Sequence, residues 1–176
     1  MSNPITEHKL PFLENGLWQI GLVVKDLDSA IECYSDLFGI GPWHVYTYQK
    51  PLLKRMTYRG KPGNYRMRVA LAQIGPMQIE LIQPLEGESI YAEFIREHGY
   101  GIHHIAATVD DLESAVAQAE ALGLEHVMGG GGHGLDNDGG FAYLGTESLL
   151  GTTFELIQLP KRRVQPERVY PPAEES

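Results

Sequence analysis

Two glutamates stand inside otherwise apolar, strand-like segments: Glu80 in "IELIQP" (Ile79–Pro84) and Glu155 in "FELIQL" (Phe154–Leu159). A lone glutamate in such a strand marks its solvated face. Two in the same place of a shared E-L-I-Q core point to a duplicated unit that uses the carboxylate. Gln19 and His104 form a second matched pair, each opening a β-branched run, "QIGLVV" and "HIAATV". Strand side chains alternate faces, so equivalent positions of twin strands point alike. Two carboxylates, one imidazole and one amide oxygen then converge. That donor set suits a divalent metal in octahedral geometry, with one or two positions open to water or substrate. Taken singly, each residue has an ordinary structural explanation: a strand amide, a core histidine, two solvent-facing acids. Their matched occurrence is what raises a metal site above those explanations.

The elements that position them repeat as well. "QIGLVVKDLDSAIECYSDLFG" aligns with "HIAATVDDLESAVAQAEALG", each a short strand, an acidic turn and a helix. Apolar residues fall at Leu27, Ala30, Ile31, Tyr34, Leu37 and Phe38 in the first helix. In the second they fall at Leu112, Ala115, Val116, Ala119 and Leu122. Both follow the i, i+3, i+4, i+7 stripe of an amphipathic helix. Asp110 and Glu113 have capping-box spacing, and Gly39 and Gly123 mark the helix ends. Strands are expected at 43–48, 66–74 and 77–83, and again at 125–128, 140–145 and 153–158. A connector helix is expected near 90–97. The pattern predicts an α+β fold of two tandem βαβββ modules, about 17–84 and 102–159, whose curved sheets face each other around a metal cleft. Residues 17–160 form one domain in this reading, with 1–16 and 161–176 as terminal tails or subunit contacts. Alternation also sets His103 on the opposite side from His104, outside the metal's ligand set.

The composition, 43% hydrophobic and 21% charged over 176 residues, is that of an ordinary globular protein. No apolar run approaches the roughly 18 residues of a membrane helix, and no basic, apolar-cored leader opens the chain. A single cysteine, Cys33, rules out an internal disulfide and fits a cytoplasmic location. A net charge of −9 weighs against nucleic acid as a partner. The charge is unevenly spread: Leu37 to Ile79 holds no acid but seven of the fourteen Lys and Arg. That segment reads either as a solvated basic loop or as a docking surface for an anionic small molecule, with Arg55, Arg66 and Arg68 as its candidates. "GGGGHG" (Gly129–Gly134) contains G-x-G-x-x-G, but "LDNDGG" follows where a dinucleotide site needs a helix. A mobile loop beside the cleft is expected there, able to close over substrate. His133, Trp43 and His44 stand near the expected mouth, and Trp43 reads equally as a core aromatic after a turn.

Over roughly residues 17–160 the chain resembles the vicinal oxygen chelate superfamily of glyoxalases, bleomycin resistance proteins and dioxygenases. The resemblance rests on "IGLVVKDLDSAIECYSDLFGI", "IELIQP", "GIHHIAATVDDLESA" and "GTTFELIQLP". "GIHHIA" and the glycine run before "GGFAYLG" look most like the methylmalonyl-CoA epimerase branch. It implies one divalent ion (Zn, Ni, Co, Mn or Mg) on Gln19, Glu80, His104 and Glu155, and a homodimer. It also implies an isomerase or epimerase that moves a proton next to a carbonyl through a metal-stabilised enolate. Glu155 would be the principal base, with Glu80 or a metal-bound water as its partner. The anionic substrate would be an acyl-CoA thioester or a glutathione adduct. Two departures stand out. Epimerases carry His at the first ligand position, whereas Gln19 matches eukaryotic glyoxalase I. They also carry a catalytic glutamate in the strand region after the first helix, where this chain has no acid. A glyoxalase I-like lyase and a metal-free small-molecule binding or resistance protein are the alternatives. An extradiol dioxygenase fits less well, because its iron requires two histidines and a carboxylate.

Overall fold

A computed structural model describes residues 10–172; of the expected tails, 1–16 and 161–176, the parts at 1–9 and 173–176 lie outside the described residues. The first module comprises β1 (Gln19–Val23), α1 (Leu27–Phe38), β2 (Trp43–Tyr48), β3 (Arg55–Tyr58), β4 (Lys61–Pro62), β5 (Arg66–Ile74) and β6 (Met77–Glu86). The connector α2 (Ile90–His98) leads to β7 (Gly101–Thr108), α3 (Leu112–Ala121), β8 (His126–His133), β9 (Gly139–Leu144), α4 (Glu147–Leu150) and β10 (Thr153–Gln158). A last strand, β11 (Arg168–Tyr170), comes from the segment expected as a tail.

The tandem modules are present, but their sheets are continuous. Eleven strands run in the order β11-β2-β5-β6-β1-β7-β10-β9-β8-β3-β4. The halves join where β1 pairs antiparallel with β7, and each of these central strands has a parallel neighbour on its other side, β6 or β10. The sheet curls, so the outer strands of one half approach those of the other. Tyr48 of β2 stacks on Phe141 of β9, with ring centroids 6.2 Å apart.

Helices cover the outer face. Asp26 caps α1 by accepting from Ser29 N at 2.7 Å, and Gly39 ends it in the left-handed conformation at φ 65°. Leu27 and Ile31 are wholly buried against Trp43, Val45, Ala70, Ala72, Ile79 and Leu81. Each such side chain contributes about 1.5–3 kcal/mol of burial. Leu37 and Phe38, at the far end of the same stripe, are exposed. In α3 the cap is Asp111, not Asp110: its carboxylate accepts from Ser114 N at 2.9 Å, and its backbone is extended. Trp43 is the core aromatic, its indole N–H donating to Ile40 O at 2.9 Å.

The glycine run is a strand, not a loop. Gly129–Gly131 pair with β9 on one side and with β3 on the other. A Cβ at Gly130 would come within 2.6 Å of the Phe141 ring, so only glycine lets that ring pack here. The part of the basic segment that holds Arg55, Arg59 and Lys61 thereby becomes the β3–β4 hairpin, the outer edge of the second module. Among the described residues, no helix is long and apolar enough to cross a membrane.

Candidate metal centre

The central strands bring the matched residues together across the pseudo-twofold. Gly21 of β1 lies opposite His104 of β7 and beside Glu80 of β6; Ala106 of β7 lies beside Glu155 of β10. The small residues at 21 and 106 leave room for the larger ones. A Cβ on Gly21 would overlap Cε1 and Nε2 of the His104 ring and stand 2.5 Å from Nδ1. The absent side chain is what lets the imidazole lie across β1.

His104 Nε2 is the point of convergence. Glu155 Oε2 lies 3.1 Å from it, Gln19 Oε1 3.3 Å and Glu80 Oε2 3.4 Å. Gln19 donates through Nε2 to Gln78 Oε1 at 2.8 Å, which turns its amide oxygen toward the centre. All four residues are hidden from water: His104 is 0% exposed, Gln19 and Glu155 3%, Glu80 6%. Ligand atoms of Glu80, His104 and Glu155 lie within 4.8 Å of one another.

Burial and then the charge of Glu155 push the Glu80 carboxyl above its ordinary value, against the pull of His104. Burial alone would lower His104, but Glu155 and Glu80 outweigh it and hold the imidazole at about 9. Even so, Glu80 Oε2 and Glu155 Oε2 are buried without a well-directed hydrogen bond. Buried carboxylate oxygens left in that state cost several kcal/mol, on the order of the penalty for an unpaired ion. A divalent cation would engage both oxygens and the imidazole nitrogen at once, so the residues present fit such an ion.

His103 sits closer to this centre than strand alternation allows. A bulge between Gly21 and Leu22 shifts the register with β7, so neighbouring histidines reach the same interior. Their Nδ1 atoms are 3.0 Å apart. His103 is outside the convergent set, as expected, but it touches the ring of His104. Burial lowers its pKa well below 6.5, so it is neutral; with its Nδ1 as the acceptor, the Nδ1–H of His104 would be held there and Nε2 would face the carboxylates. Tyr91 and Phe94 pack against its ring at 5.2 and 5.0 Å.

Gln19, Glu80 and Glu155 open into a cavity of about 60 Å³, with the His104 ring buried behind them. Buried Gln19, Gln78, Glu80 and Glu155 form its inner end; Tyr46, Tyr48, Leu71, Phe141 and Ile157 form its walls; His133 and the exposed Arg163 stand farther out. The three arginines singled out from the sequence do not line it. Arg68 shares the α1 side of β5 with Ala70 and Ala72, and its guanidinium donates to both oxygens of Asp28 at 3.0 and 3.1 Å. Arg66 donates to Glu86 at 2.9 Å. Arg55 stands beside Gly131 in a groove under α3. On the cavity side β5 presents Met67, Val69 and Leu71. His44 is exposed. Nothing in "KRRVQPERVY" distinguishes Arg163 from its neighbours in the sequence.

A family model described as the Glyoxalase/Bleomycin resistance protein/Dioxygenase superfamily matches residues 18–143. The uncharacterized protein YqjC of Bacillus subtilis (strain 168) is 29% identical over 114 residues, covering 65% of this chain and 69% of that protein. Among solved structures, methylmalonyl-CoA epimerase from Mycobacterium tuberculosis aligns with a TM-score of 0.61 at 28% identity, over 83% of this chain and 89% of that one. A variant of the Streptomyces coelicolor epimerase in complex with 2-nitronate-propionyl-CoA gives 0.60 at 20% identity, over 81% and 95%; that likeness is one of fold. With the family match running from the start of β1 into β9, the chain belongs to the glyoxalase/bleomycin resistance protein/dioxygenase superfamily and has the curled sheet of its epimerases.

Proposed function

We propose that the protein is a metal-dependent enzyme of the isomerase or epimerase type that moves a proton on the carbon next to a carbonyl. The observation that carries this reading is the placement of Glu80 and Glu155. They come from the two halves, flank His104 from β6 and β10, and line one cavity. Such a pair reaches a small bound molecule from two sides, as removal and return of a proton on opposite faces require. Glu80, His104, Glu155 and the Gln19 amide oxygen would hold the ion. A divalent ion there supplies a Lewis acid for the carbonyl oxygen.

The chain's own residues do the rest. Glu155 takes the proton and Glu80 stands opposite as its partner. Gln78 keeps the oxygen of Gln19, not its NH2, aimed at the centre, and His103 fixes the tautomer of His104. The aromatic and aliphatic walls keep water from the reacting carbon. A lyase acting on a thiol adduct is the second reading, favoured by one feature: an amide oxygen, not an imidazole, at position 19. A homodimer is proposed on family resemblance alone.

The test is hydrogen exchange. Metal-loaded protein in deuterated water should wash deuterium into the acidic carbon next to the carbonyl of a compound from a panel of acyl thioesters, including methylmalonyl-CoA and glutathione thioesters, and short oxo acids. Glu155→Gln should lose that exchange while keeping most of its metal. Exchange at the wild-type rate in Glu155→Gln removes Glu155 from the mechanism.

A further inference from the structure

The outer end of the cavity carries two polar groups to which the proton-transfer chemistry gives no task. His133, the last residue of β8, packs beside Tyr48 and Phe141 at 6.0 and 6.5 Å, and its Nδ1 is buried with no hydrogen-bond partner. Gly139 makes room for it: a Cβ there would stand 2.5 Å from Nε2. Arg163 lines the same cavity. Six of the eight arginines have a carboxylate within ion-pair distance; Arg163 has none among the described residues.

Arg163 is not on a loose tail. Before it, Lys161 N donates to Asp138, and Leu135 N donates to Arg162 O at 2.9 Å. After it, Glu167 accepts from Thr47 N and Oγ1 at 2.9 and 3.0 Å, and β11 then pairs with β2. The segment is therefore a strap, tied to β8–β9 at one end and to β2 at the other, that carries a guanidinium over an apolar cavity. Arg163 lines that cavity together with Tyr46, Tyr48 and His133. A guanidinium with no carboxylate partner among the described residues and an unsatisfied imidazole share one cavity, whose lining carboxylates, Glu80 and Glu155, lie at its inner end; together they can receive one carboxylate.

We propose that Arg163 and His133 bind a carboxylate of the substrate, and that the substrate is a small oxo acid whose carbonyl lies against Glu80 and Glu155. The assignment of the carbonyl end rests on the proposed function; the carboxylate end stands on Arg163 and His133.

Calorimetric titration with 2-oxobutanoate, its methyl ester and coenzyme A tests this without turnover. The acid should bind at least tenfold more tightly than the ester. Arg163→Gln should remove that preference while leaving ester binding within twofold. Arg163→Lys should retain part of the preference, and the exposed position leaves folding intact. The imidazole resonances of His133 should move with the acid and not with the ester. Equal binding of acid and ester, an unchanged constant in Arg163→Gln, or no binding of the acid overturns the proposal. So does coenzyme A binding that Arg163→Gln weakens while the acid is unaffected. Acid binding through Arg163 in a protein that shows no deuterium exchange would keep this inference and refute the proposed chemistry.

Discussion

Gly21→Ala separates the architecture of the centre from its chemistry, because the added methyl is not a ligand and removes none. The new Cβ would overlap two atoms of the His104 ring and stand 2.5 Å from a third. Carbon atoms pack at about 3.5–4.0 Å, so the ring must move by on the order of an ångström. Metal–ligand distances tolerate only about 0.2 Å. The displaced imidazole therefore no longer coordinates, and metal affinity should fall at least about 100-fold, beyond the range typical of outer partners. The crowding itself should cost about 1–3 kcal/mol, the usual cost of overpacking. At about 2–4 °C per kcal/mol for a chain of this size, the metal-free protein should melt roughly 2–12 °C lower. Thermal unfolding without metal and calorimetric titration with Zn or Mn measure the two effects separately. Repeating Gly21→Ala in a His104→Ala background should erase most of the stability loss, since the clash partner is gone. If Gly21→Ala binds metal like wild type, or if its stability loss persists undiminished without the His104 ring, the close approach of β1 and His104 is wrong.

Other perturbations follow from the same geometry. Gln78→Leu frees the Gln19 amide to rotate and should weaken metal binding about 10–100-fold, with little change in melting temperature. In metal-free protein, His104 is held at about 9 against an ordinary 6.5. Its contribution to stability is thus full below pH 6.5 and is lost as pH rises through 9; the raised Glu80 carboxyl acts in the same direction. The melting temperature without metal should therefore fall from pH 6.5 to 9, and a rise across that window would contradict the Glu–His–Glu contacts. Glu167→Ala removes the strap's side-chain tie to β2 and should weaken 2-oxobutanoate binding severalfold while leaving metal affinity unchanged, as read by the same titrations.

The duplication made the centre legible. Gln19 and His104, Glu80 and Glu155 occupy twin positions, and parallel pairing of each central strand with its neighbour turns twin positions into one point in space. The stripes Leu27–Ile31 and Ala115–Ala119 likewise announced which helix faces meet the sheet. What was hidden depended on partners far along the chain. Gly129–Gly131 have no side-chain periodicity and poor strand propensity, so only their ladders to β3 and β9 make them a strand. His103 reaches the centre through a bulge, which breaks the alternation that a sequence reading relies on. Arg68 looked available in a segment free of acids, yet β5 turns it toward α1 and Asp28. Arg163 enters the cavity because Glu167 and β11 fold the last residues back, a long-range pairing that no local pattern encodes.

The central claim is that Glu80, His104 and Glu155 hold a divalent ion. Elemental mass spectrometry on untagged protein purified without added metal tests it most directly, followed by incubation with Mn, Co, Ni and Zn salts. About one ion per chain in the wild type, lost in Glu80→Ala, is the predicted result. A wild-type protein that takes up none of these ions would contradict the account and leave a metal-free binding protein in its place.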